Sequence, residues 1–287
     1  MLVGVLKHAR TAKTVLIDTY STQNFYYAVA VANLCRLFKI PYVPILHGGN
    51  LPERLQKSKS NSYKLFNGAK TNVAPSLYLM NAFKAAGYEN VIHIPNTIHL
   101  EQYPFLLRNQ VGPRLLWVRS FAEIYNPMLA LQLVEKLQAR FPAVELCMVG
   151  PEKDGSMERC KRYAEQHKLP VTFTGKLTKE AWHKQSKDYD IFINTTNFDN
   201  TPVSVMEAMA LGLPILSTNV GGIPYLINNN DDGLLVPLAD VNAMGEAVKS
   251  LCATPELARK LSTNGRRKAE SFDWKIVKQD WLTLLND

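Results

Sequence analysis

The chain has 287 residues, 46% of them hydrophobic and 20% charged. That composition suits a folded globular protein of about two domains and excludes disordered, fibrous and collagen-like chains. Its net charge of +8 is unevenly placed, because residues 1–107 hold 11 basic and 4 acidic side chains. The asymmetry predicts an anionic partner for the first part, a lipid headgroup or a phosphorylated substrate. Nucleic acid is disfavoured as that partner, since no recognition helix or RNA-binding aromatic motif accompanies the charge.

The longest apolar run, 25–35, is interrupted by Asn33 and followed by Arg36, well short of the roughly 20 residues that span a bilayer. Lys7, His8 and Arg10 follow the first apolar residues, the reverse of a secretory signal's order. These features predict a cytoplasmic chain, at most peripheral on the inner face of the cell membrane. Cys35, Cys147, Cys160 and Cys252 lie far apart with no paired spacing. Reduced, mostly packed thiols are expected, with no metal centre and no cofactor.

In chain order, short apolar runs at 14–18, 42–46, 71–74 and 91–95 alternate with helix-period segments. The rhythm resumes at 115–118, 144–149, 171–173, 190–194 and 215–218. Runs apolar on both faces, each followed by a helix, predict parallel sheets covered on both sides. The fold expected is α/β, with two Rossmann-like domains over 1–107 and 108–273, and a terminal helix over 274–287 that completes the first. The break is placed at 102–113, where Tyr103-Pro104 and Gly112-Pro113 bracket an aperiodic stretch. The basic stretch 54–64 reads as a mobile loop. In the terminal helix Trp274, Val277, Trp281 and Leu284 recur at helical spacing and read as a packing stripe.

Ligands of parallel α/β sheets sit beyond the carboxyl ends of strands, so the junctions after strands carry the functional reading. At 45–50 an apolar strand delivers His47 into a turn made by Gly48 and Gly49, which permits close backbone approach to a ligand. After the strand 215–218 comes Gly221-Gly222-Ile223-Pro224, where amides at a helix start could hold a diphosphate. Between residues 200 and 230 the single formal charge is Glu207, set in an apolar helix over 202–212. A carboxylate there needs donors, either a neighbouring side chain or the hydroxyls of a ribose diol. Asp199 stands eight positions earlier, just ahead of that helix, where the helix dipole favours an acid.

The acid-x7-acid spacing of Asp199 and Glu207, followed by the Gly221–Pro224 loop, resembles the family 4 glycosyltransferases, which have the two-Rossmann GT-B fold. The resemblance extends to the His47-Gly48 turn, Arg119 after the strand 115–118, Val149-Gly150, the Phe173-Thr174-Gly175 turn and the terminal helix. It implies a retaining transfer of sugar from a UDP- or GDP-sugar to a glycan or lipid-linked acceptor in cell-surface polysaccharide synthesis. By the same resemblance Glu207 would bind the ribose, and Asp199 with the amides of Asn200 and Thr201 would bind the sugar. Gly221, Gly222 and Ile223 would hold the diphosphate, Arg119 would neutralise the leaving phosphate, His47 beside Gly48 would meet the sugar, and residues around Gly175 would frame the base.

Three departures stand out. Asp199 occupies a place where Glu is usual, no lysine follows Arg119 within the next eight residues, and the first domain is expected to lack the opening half of its sheet. They motivate an alternative, a remnant that binds nucleotide sugar without transferring it. A nucleotide-sugar epimerase is a weaker reading. A Rossmann dehydrogenase is disfavoured because no GxGxxG follows any strand.

Overall fold

The structure, a computed structural model, describes residues 2–286, except for the side chain of Leu2. Backbone contacts divide the chain into two compact units, one of residues up to Asn96 together with those from Val277 onward, the other Thr97–Ile276.

The first unit runs α1 (Leu2–His8), β1 (Val15–Thr19), α2 (Asn24–Leu37), β2 (Tyr42–Leu46), α3 (Leu51–Lys57), α4 (Lys59–Phe66), β3 (Asn72–Ala74), α5 (Leu77–Ala85) and β4 (Val91–His93). Its four strands pair in parallel in the order β1-β2-β3-β4. Successive side chains of a strand point to opposite faces. Ile17, Tyr42 and Leu46 therefore pack with Phe25, Phe66 and Phe83 of the helices, whereas Val43 and Val73 meet Val277 and Leu284 of the C-terminal helix. Of that helix's stripe, Val277 and Leu284 are buried and Trp281 is partly buried against them, but Trp274 stays exposed.

One expectation is corrected here. The stretch 54–64 is not a mobile loop: it belongs to α3 and α4, broken only at Ser58. Leu51, Leu55, Leu65 and Phe66 are buried, which anchors both short helices while Lys57, Lys59 and Lys64 stay exposed.

The second unit comprises β5 (Arg114–Val118), α6 (Pro127–Gln138), β6 (Glu145–Val149), α7 (Ser156–Gln166), β7 (Val171–Gly175), α8 (Lys179–Gln185), β8 (Ile191–Asn194), α9 (Val203–Ala210), β9 (Ile215–Thr218), α10 (Ile223–Leu226), β10 (Leu234–Val236), α11 (Val241–Ala253) and α12 (Pro255–Glu270). The last helix, α13 (Trp274–Asn286), begins in it. Its six parallel strands take the order β10-β9-β8-β5-β6-β7.

Alternation decides what each face buries. Leu115, Trp117, Leu146, Met148, Ile191 and Ile193 enter a core with α6, α7, α11 and α12, while Leu116, Cys147, Val149 and Phe192 enter another with α9. Each such side chain removed from water contributes about 1.5–3 kcal/mol, which explains why these strands read as continuous apolar runs. The edge strand β10, three residues long, had no counterpart in the sequence reading.

The aperiodic break at 102–113 lies within the second unit. Tyr103 is fully buried there, and the Arg108 guanidinium donates to the carbonyls of Leu106, Leu211, Ser186 and Tyr189. Burial lowers the Arg108 pKa to about 10, a charge held inside the protein by carbonyl dipoles. All four cysteines are free thiols, with Cys35, Cys147 and Cys160 buried. Among the described residues no helix is long and apolar enough to cross a membrane.

Candidate functional site

The strand order of the second sheet reverses at β5, which pairs with β6 on one side and β8 on the other. In parallel α/β sheets the crevice beyond the carboxyl ends at such a reversal is where ligands bind. Arg119 directly follows β5, and the segment 195–199 directly follows β8, so the topology delivers Arg119 and Asp199 to that crevice. There they form an ion pair between Arg119 Nη2 and Asp199 Oδ2, with both side chains about 15% exposed.

Arg119 is further fixed by its guanidinium carbon, 4.0 Å from the centre of the Tyr125 ring. Gly150 lies against its backbone, where a Cβ would collide with the Arg119 carbonyl. The buried Arg119 Nε has no hydrogen-bond partner among the described residues. An unpaired buried donor on a cation is costly, and it leaves one N–H free for an anion. Burial pushes the Asp199 carboxyl above its usual range, opposed by the Arg119 charge and the Asn200 amide.

The loop bearing Asp199 is held from below by polar side chains at the strand ends. Trp117 Nε1 donates to Thr195 Oγ1 at 2.9 Å, Thr195 Oγ1 to the Tyr125 carbonyl at 2.9 Å, and Thr218 Oγ1 to the Thr196 carbonyl at 2.6 Å. From above, Gly222 N donates to the Asp199 carbonyl at 2.9 Å. Gly222 lies so close that a Cβ would collide with the Asn200 carbonyl, and Gly221, at φ +53°, has no room for one beside the Asp199 carbonyl. The paired glycines thus lock two loops together. The Ile223 amide likewise donates within the turn, to Val220 O at 3.0 Å, so two of the three amides assigned to a diphosphate already serve the loop.

Glu207, in the second turn of α9, is 5% exposed. Its Oε1 accepts from Tyr103 Oη at 2.8 Å and pairs with Lys179 Nζ at 2.8 Å. A neighbouring donor therefore does satisfy this carboxylate. Tyr103 also packs on the His183 ring, centroids 4.4 Å apart, and burial next to the Glu207 charge drives its phenol pKa well above the ordinary value. Burial lowers the His183 pKa, so that ring is neutral at pH 7. Gly175 ends β7 with φ +70° and open space where a Cβ would stand. Asn200 is buried and Thr201 half-buried ahead of α9.

In the first unit, His47 follows β2 and its amide donates to the Thr19 carbonyl at 3.0 Å. Its Nε2 lies 2.8 Å from Asp18 Oδ1, and the ring stacks on Tyr20 with centroids 5.4 Å apart. Gly48 is required by the close approach of Ser21 N and the Tyr20 carbonyl carbon. Sequence reasoning missed Asp18, Tyr103, Lys179 and His183. Asp18 had a readable signal, an acid at the carboxyl end of the strand paired in register with β2; Tyr103 had none, because its partner lies 104 residues away. Among the described residues no group of three or more His, Cys, Asp or Glu is placed to hold a metal ion.

Residues 102–268 match the family described as glycosyl transferases group 1. The chain is 26% identical over 246 residues to the amylovoran biosynthesis glycosyltransferase AmsK of Erwinia amylovora, covering 77% of this chain and 58% of that protein. It is 25% identical over 179 residues to spore coat protein SA of Bacillus subtilis, covering 59% and 48%. The chain thus spans about half the length of these relatives. The crystal structure of Anabaena Alr3699/HepE in complex with UDP and glucose superposes with a TM-score of 0.84 at 17% identity, over 99% of this chain and 81% of that one, a likeness of fold.

Proposed function

The chain belongs to the glycosyl transferases group 1 family, and from that premise we propose that it is a retaining glycosyltransferase of the family 4 type. It moves a sugar from a UDP- or GDP-sugar to a glycan or lipid-linked acceptor in cell-surface polysaccharide biosynthesis. The observation that carries this reading is the Arg119–Asp199 pair at the strand-order reversal, with the buried Arg119 Nε unpartnered. A site built this way has a free cationic donor for a phosphate oxygen and a carboxylate for sugar hydroxyls.

In the reaction the bond from the anomeric carbon to the diphosphate oxygen breaks as the acceptor hydroxyl attacks from the same face. The hydroxyl proton passes to the departing phosphate. Charge develops on that phosphate, so Arg119 contributes most in the transition state, and loss of one such donor costs about 10²–10³ in kcat. Glu207 accepts from the ribose diol through the carboxylate that Tyr103 and Lys179 now share. Asp199, with the amides of Asn200 and Thr201, positions the sugar, while Gly221, Gly222 and Ile223 shape the diphosphate turn. Gly175 leaves room for the base, and His47, with Gly48, contacts the sugar.

UDP as the donor nucleotide is supported by the HepE complex of like fold, and polysaccharide synthesis by the name of AmsK. A cytoplasmic location, peripheral at an anionic membrane face, is supported by the positive excess of residues 1–107. The proposed chemistry needs no metal or cofactor, its positive charge coming from Arg119.

The test is release of nucleoside diphosphate from UDP- and GDP-sugars with and without a membrane glycolipid extract. Release that depends on the extract, with the product keeping the donor's anomeric configuration, is the expected result. Tight nucleotide binding with no release on any acceptor would favour a binding-only role, and conversion without an acceptor would favour an epimerase.

A further inference from the structure

Glu207 Oε1 receives two donors of different character. Lys179 reaches it from an exposed side chain, 58% accessible, on a flexible four-carbon stem. Tyr103 is 2% exposed and its position is over-determined. Its ring packs on His183, and its carbonyl accepts from Arg266 Nη1 at 2.9 Å. The same Nη1 holds the Ala210 carbonyl at 2.7 Å, at the C-terminal end of α9. Arg108 repeats the arrangement one residue on, donating to Leu106 O at 2.7 Å and Leu211 O at 2.8 Å. Two arginines therefore staple the segment 103–108 to the end of the helix that carries Glu207, and the Tyr103 hydroxyl completes the connection.

We propose that Tyr103 is a positioning residue for nucleotide recognition: it holds the Glu207 carboxylate in the one orientation from which it accepts from a ribose 2′,3′-diol. The proposal rests on Glu207 meeting the ribose, as above. A rigid donor to one carboxylate oxygen holds that oxygen in place and restricts the group's rotation, and a site preorganised for a hydroxyl rejects the analogue lacking it more strongly than a loose one. Lys179 cannot take over this task, because an ammonium on a flexible exposed stem has no fixed direction.

The test is the affinity ratio between a nucleoside diphosphate and its 2′-deoxy analogue. It is read by calorimetry for the wild-type chain and for Tyr103→Phe, with whichever of UDP and GDP the wild type binds more tightly. Phenylalanine keeps the ring against His183, and thermal melting checks that the variant is folded. The expected wild-type ratio is about tenfold or more, falling to about threefold or less in Tyr103→Phe, since each buried charged hydrogen bond is worth about one decade. An unchanged ratio in the variant, with a normal wild-type ratio, overturns the positioning role alone. A wild type that does not discriminate, or binds neither nucleotide, overturns the Glu207 assignment and this inference with it. Equal weakening of both ligands by Tyr103→Phe, leaving the ratio intact, marks a structural role only and also overturns the inference.

Discussion

Arg119 and Asp199 each neutralise a charge that the crevice would otherwise strand. A buried ion pair contributes little net stability, but removing one partner leaves an uncompensated charge. In the proposed function the pair is a resting state, in which Asp199 would hold the guanidinium for an incoming phosphate while Nε has no partner among the described residues. His47 is held differently, by Asp18 at 2.8 Å and by stacking on Tyr20. In the proposed function the ring, oriented by Asp18 through Nε2, would turn its other nitrogen to a sugar hydroxyl. His47→Ala is expected to lower the transfer rate about tenfold, one lost hydrogen bond, while nucleotide affinity stays within about twofold. Asp18→Asn should shift the rate in the same direction by less. Steady-state kinetics beside calorimetry checks both, and equal losses in rate and affinity would remove His47 from the sugar.

At the level of elements, the site is a meeting of loops whose backbones touch. Gly222 accepts no side chain because the Asn200 carbonyl fills the space, and its amide ties the turn to Asp199. Gly222→Ala is thus expected to cost about 1–3 kcal/mol of stability through overpacking and to weaken nucleotide binding along with it. Denaturant unfolding and titration of the same sample test this, and a variant as stable as the wild type would mean that the loops are not locked there. The strands were legible because burial on both faces writes them as unbroken apolar runs, as at 115–118 and 191–193. The helices α3 and α4 were not, because Ser58 divides their apolar period and each buries only a few side chains among lysines. Asp199, Glu207 and the paired glycines could be picked out since their signal is local in sequence, a lone acid in an apolar helix, an acid just ahead of it and a Gly-Gly turn after a strand. The donors that satisfy Glu207 could not, as Lys179 and Tyr103 reach it only after β8 and α9 are packed.

On the scale of the whole molecule, two parallel-sheet units follow from one rule applied twice: strands buried on both faces must be covered by the helices that connect them. Only the second sheet, in its described strands, reverses order, and the family match at 102–268 covers that sheet. The positive excess of residues 1–107 lies outside most of that match. Such a charge distribution steers anionic partners rather than setting a fold. In the proposed function the second unit binds a nucleoside diphosphate through Glu207. A calorimetric titration of the purified chain with UDP and GDP, run beside Glu207→Ala, tests this binding. Saturable binding of one nucleotide, weakened in the variant by about 1.5–3 kcal/mol for the lost charged hydrogen-bonding partner, is the expected result. No binding by the folded wild-type chain, or unchanged affinity in a folded Glu207→Ala, would contradict it.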